Sequence, residues 1–91
     1  MKQDVAEELL EKLAELEHDQ WTEWSRTVTK NEPLISDDRV RRWKSLWVPY
    51  SSLADEAKEQ DRIWARKTLT ALIPYLPKLS QQMLRNKLEN R

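Results

Sequence analysis

Between residues 3 and 30 the apolar side chains Val5, Leu9, Leu13, Leu16, Trp21, Trp24 and Val28 recur every three or four positions, with glutamates filling the gaps. That spacing lays them along one stripe of a single long helix, and the stripe needs partners. A chain of 91 residues makes one domain and buries only about two-thirds of the surface its unfolded form exposes. An economical core, marginal stability and self-association are therefore expected.

Prolines punctuate the rest of the chain. Asn31-Glu32-Pro33 ends the first helix, because proline disfavours the helical region for the residue before it. Ser36 or Asp37 then caps a short helix running to about Leu46, with Val40, Trp43 and Trp47 on one side. Val48-Pro49-Tyr50-Ser51-Ser52 reads as an extended connection, since Pro49 lacks a donor and constrains Val48. Ser51 or Ser52 caps the next helix, with Asp55 and Glu56 in its first turn and Ala57, Asp61, Trp64, Thr68 and Leu72 lining one of its possible faces. Pro74 and Pro77 kink or stop it. Leu79, Met83 and Leu88 form a weak stripe in residues 78–91, which read either as a fourth helix or as a frayed or oligomer-packing tail. The expected fold is all-α, with three main helices, the Val-Pro-Tyr connection and this C-terminal segment.

Composition excludes several chemistries. The sequence has no cysteine, which removes disulfides, thiolate zinc sites and a cysteine nucleophile, and points to a reducing, cytoplasmic setting. It has no glycine either, which removes phosphate-binding glycine loops, dinucleotide turns and the nucleophile elbow. Nothing at the start resembles a secretory leader, and no run of apolar residues is long enough to span a membrane. The 16 basic and 16 acidic residues cancel overall but not locally. Residues 1–38 hold 4 basic and 11 acidic residues; residues 39–91 hold 12 basic and 5 acidic. Such a charge dipole suits helix packing or an anion held in the basic half better than grip on a long nucleic acid.

His18 is the single histidine, and its acidic neighbours lie on the same helix, so it reads first as an orienting hydrogen-bond residue and not a metal ligand, with ligand contact or proton transfer as the alternative. Asp55, Glu56, Glu59 and Asp61 have the spacing of a solvated helix, not of an acid/base pair. No catalytic set, metal site or cofactor is expected. Five tryptophans with no phenylalanine are the unusual feature. Their periodicity places them first in the core, but in so small a domain some must line a surface. Arg41 and Arg42 flank Trp43, and Arg66 follows Trp64, so stacking faces recur beside cations that bind phosphate. Trp21, Trp43, Trp47, Arg41, Arg42 and Arg66 are candidate ligand-binding residues on this ground.

Residues 46–62, LWVPYSSLADEAKEQDR, resemble the signature of the ryanodine-receptor repeat family: Val-Pro-Tyr, then Leu, acidic residues, Lys-Glu and Asp-Arg. His18-Asp19-Gln20-Trp21 resembles the His-x-x-Trp of that family's first helix. The Gly-Trp-x-Tyr-Gly segment usual between these motifs is missing, and Trp43 with Arg41-Arg42 occupies that interval. The resemblance implies a helical binding module of the small, free-standing bacterial or phage type, where such domains are proposed to sense or capture nucleotide-derived signals. It adds Tyr50 and Arg62 to the candidate site, with Pro49 presenting Tyr50, and with Asp61 and Arg62 either locking the turn or reaching a ligand. The function expected is thus non-enzymatic binding of a small anionic nucleotide-like molecule, such as a cyclic nucleotide or an ADP-ribose derivative, in a homo-oligomer, with a phage anti-defence sponge as its sharpest form. The alternative is a protein-interaction helical module with no small ligand; a nucleic-acid binder using residues 39–91 ranks behind both.

Overall fold

The computed structural model describes residues 4–89, so the first position of the expected initial helix and the last two of the tail lie outside the described residues. The fold is all-α: α1 spans Val5–Asn31, α2 Asp37–Lys44, α3 Asp55–Leu72 and α4 Lys78–Glu89. Single 3₁₀ turns at Tyr50–Ser52 and Ile73–Tyr75 precede α3 and follow it.

Helix ends are made without left-handed residues. No described residue has a positive φ, and none follows a cis bond. In place of a glycine cap, an extended residue leads into a proline: Glu32 (φ −114°, ψ 100°) before Pro33, and Leu76 (φ −100°, ψ 159°) before Pro77. The starts are capped by side chains where the sequence provides them. Asp4 accepts from the Glu7 amide at 3.1 Å, and Ser36 from the Arg39 amide at 3.2 Å. Neither Ser51 nor Ser52 caps α3: both sit in the 3₁₀ turn, and Ala54 occupies the capping position without a side-chain bond. Asp55 and Glu56 still favour that end through the helix dipole. α2 stops at Lys44, and the Leu46 and Trp47 amides turn back onto the Trp43 and Lys44 carbonyls at 2.9 and 3.2 Å.

The buried cluster joins Ala6, Leu10 and Ala14 of α1, Ala65 and Leu69 of α3, Tyr50, Leu53, Ile73, and Leu84 of α4. Alanine reaches no further than its Cβ, so α1 and α3 can lie close together along this line. Lys87 near the end of α4 ties that helix to the start of α1, with Nζ 3.2 Å from Asp4 and 2.5 Å from Glu7. The molecule measures 49 × 29 × 17 Å. At 17 Å it is under two helix diameters thick, which is why so few side chains are fully enclosed.

The expected stripes are displaced. On α1 the buried line is Ala6, Leu10, Ala14, His18 and Ser25, one residue round from the predicted one. Val5, Leu16 and Trp24 remain more than half exposed. On α3 the buried residues are Ala65 and Leu69. On α4 Leu84 is buried and Leu88 packs against the cluster, whereas Leu79 is exposed. No helix among the described residues is long and apolar enough to cross a membrane.

Candidate ligand site

Three indoles from three different helices meet at one groove of about 560 Å³. Trp21 comes from α1, Trp43 from α2 and Trp64 from α3, with Leu46, Leu53 and Ala57 adding apolar surface between them. Trp21 meets Trp43 edge-on, with centroids 6.1 Å apart at 83°, and stacks on His18 at 6.1 Å and 25°. Trp43 also tilts against Trp24 at 5.8 Å. These ring contacts hold α2 in place, because α2 has no buried residue of its own.

Among the polar side chains of the groove, His18 and Asp61 are 4% and 17% exposed. The His18 Nε2 lies 2.6 Å from the Val48 carbonyl oxygen. A carbonyl only accepts, so Nε2 carries the hydrogen and donates it, pinning the Val-Pro-Tyr connection to α1. This leaves Nδ1 turned towards Asp61, with Oδ2 at 3.6 Å, too long for a hydrogen bond. No hydrogen bond from the described residues reaches the Asp61 carboxylate. Burial pushes its pKa above the ordinary value; His18 opposes that shift and the nearby Glu17 carboxylate adds to it. Arg42 lines the same groove from α2, is exposed, and has no ion pair among the described residues.

The other candidates lie elsewhere. Tyr50 and Arg62 form an ionic knot with Glu11 of α1. The Tyr50 hydroxyl donates to Glu11 Oε2 at 2.5 Å, and Arg62 donates to Glu11 Oε1 from Nη2 at 2.7 Å and from Nε at 3.1 Å. Asp55 and Glu59 approach the Arg62 guanidinium at 3.6 and 3.7 Å, and Arg66 donates to Glu59. The Arg62 hydrogen bond holds the Glu11 carboxyl below its ordinary pKa. Burial, then the bond to Glu11, raises that of Tyr50. The knot joins α1, the 3₁₀ turn and α3. Arg66 Nη1 is buried with no hydrogen-bond partner among the described residues. Arg41 pairs with Asp38 at 3.3 Å on the open surface. Trp47 faces a separate groove, where Arg26 lies over its ring at 5.4 Å and its Nε1 donates to Ser25 Oγ at 2.8 Å.

Of the eight sequence-derived candidates, Trp21, Arg42 and Trp43 therefore share the groove. Trp64, Asp61 and Ala57 join them. Their i, i+4, i+7 spacing on α3 was visible in the sequence as one face, but reads there as packing. Among the described residues no group of three or more histidines, cysteines or carboxylates stands where it could hold a metal ion. Comparison with protein-family models, curated proteins and solved structures finds no match.

Proposed function

We propose that this chain is a ligand-binding domain that captures a small nucleotide-derived molecule in the Trp21–Trp43–Trp64 groove, and that it senses or sequesters this molecule without converting it. The observation that carries this reading is the meeting of three indoles with a guanidinium that has no ion pair among the described residues, at a groove of ligand size. Stacking a base on an indole contributes about 1–3 kcal/mol, and an arginine without a carboxylate partner is free to bind a phosphate. His18 supports binding over catalysis, because its Nε2 hydrogen is committed to Val48 and its Nδ1 faces Asp61. The resemblance of residues 46–62 to the ryanodine-receptor repeat points the same way, towards a cytoplasmic bacterial module or a phage sponge for an immune nucleotide. A homo-oligomer would enclose the ligand more fully than one thin chain.

The test is a thermal-shift and tryptophan-fluorescence screen against cyclic dinucleotides, cyclic oligonucleotides, ADP-ribose derivatives and mononucleotides. The expected result is a binder that stabilises the protein and is recovered unaltered after heating. Recovery of a converted product would overturn the non-enzymatic reading.

A protein-interaction module is the second reading, favoured by the exposed Val5, Leu9 and Leu16 on α1 and by Tyr75 and Leu79, 86% and 87% exposed. Silence across the whole panel together with concentration-dependent mass in sedimentation would establish it instead.

A further inference from the structure

We infer that Asp61 reads the edge of the ligand's ring, and that the ring is guanine or a base with the same edge, in which two N–H donors stand side by side. This rests on the groove being a nucleotide site and goes one step further, to the class of base.

The carboxylate is largely enclosed, and no hydrogen bond from the described residues satisfies it. His18 Nδ1 stands at 3.6 Å, beyond hydrogen-bond reach. Enclosing a charged acceptor without donors is costly, and proteins normally supply them. Here the free lone pairs face a groove walled by indoles, so donors delivered by a planar ligand would satisfy them. Two carboxylate oxygens accept two parallel N–H bonds. Guanine offers that pair through its N1–H and exocyclic N2–H. Adenine and cytosine each place an acceptor beside their amino group, and uracil sets one N–H between two carbonyls; either arrangement turns a lone pair towards the carboxylate. A guanidinium also offers paired donors, and the Glu17 and Asp61 carboxylates would attract one, but it brings no anionic group for Arg42, which lines the same groove. Planarity, paired donors and an anionic group occur together in a guanine nucleotide.

The test is equilibrium binding of guanosine, inosine and adenosine 5′-monophosphates to the full chain. Inosine lacks only the N2 amino group, so the comparison deletes one donor without altering the protein. The guanine nucleotide is expected to bind about tenfold or more tighter than the inosine one, as loss of a hydrogen bond to a charged acceptor requires, with adenosine weaker still. Asp61→Asn should erase the preference, since its amide presents one acceptor and one donor. Equal binding of all three nucleotides, abolished by Arg42→Ala, would overturn the role of Asp61 and leave the groove standing as the site. No binding of any of them to the wild-type chain would overturn both this inference and the nucleotide reading beneath it.

Discussion

Leu10→Ala is expected to destabilise the fold by about 3–4 kcal/mol, a large share of the roughly 5–10 kcal/mol a domain of this size possesses. Leu10 is fully buried at the α1–α3 contact, and its neighbours along the helix are Ala6 and Ala14. Alanines have no rotamers with which to fill a vacated volume, so the cavity persists and its cost adds to the lost transfer energy. The midpoint of thermal unfolding, followed by circular dichroism, should fall by about 12–32 °C. Leu9→Ala is the control, because Leu9 is adjacent in sequence but 38% exposed. It should cost less than about 1 kcal/mol. Equal losses from both substitutions would mean that α1 packs in a different phase.

Arg62→Ala should cost about 2–3 kcal/mol, measured by urea unfolding at neutral pH. The figure sits below that of a fully enclosed pair because the Glu11 side chain is 34% exposed and partly screened by water. Removing the guanidinium leaves the Glu11 carboxylate and the Tyr50 hydroxyl facing each other without the cation that joins α1 to α3. Arg62→Lys should recover less than half of the loss, since an ammonium cannot reproduce the fork that meets Glu11 from both Nε and Nη2. The pH dependence has a definite sign. Arg62 holds the Glu11 carboxyl below its ordinary 4.5, so the folded state binds fewer protons there than the unfolded one. That contribution is complete above 4.5 and is lost as the pH falls through the lowered value. In Arg62→Ala this acid-side loss should shrink. Asp61 acts in the opposite sense: its raised pKa means that the folded state gains a proton first, so its penalty is present at neutral pH and relieved on acidification.

Helix boundaries were legible in the sequence because proline and side-chain caps act locally. Asn31-Glu32-Pro33 ends α1, Ser36 starts α2, Pro74 lies within the turn that follows α3, and Pro77 directly precedes α4. The phase of each helix was not legible. Leu9 and Leu10 are adjacent and equally apolar, so hydropathy cannot choose between them, and the alanines that decide how α1 meets α3 carry almost no hydropathy weight. The same ambiguity displaced α3 by one position, from Trp64 and Thr68 to Ala65 and Leu69. The α3 cap was misplaced because Ser51 and Ser52 compete in a 3₁₀ turn that hydropathy does not reveal.

The site was legible in part for related reasons. Clustered tryptophans beside arginines pointed to Trp21, Arg42 and Trp43, but nothing in the spacing told Trp43 from Trp47, which face different grooves. Arg62 and Tyr50 looked available in the sequence because their partner is distant along the chain. Glu11 lies 51 residues from Arg62 and is one of many glutamates on an acidic helix, so no local signal marks it as the acceptor.

The five indole N–H signals of ¹⁵N-labelled protein, recorded while a nucleotide from the screen is added, test the groove as a ligand site most directly. The signals of Trp21, Trp43 and Trp64 should shift together, while that of Trp47, bonded to Ser25 in another groove, stays in place. In Arg42→Ala the three shifts should require about tenfold more ligand, with the Trp47 signal unchanged as evidence of an intact fold. Movement of Trp47 with the other three unmoved would contradict binding in this groove, as would five static signals across every nucleotide tried.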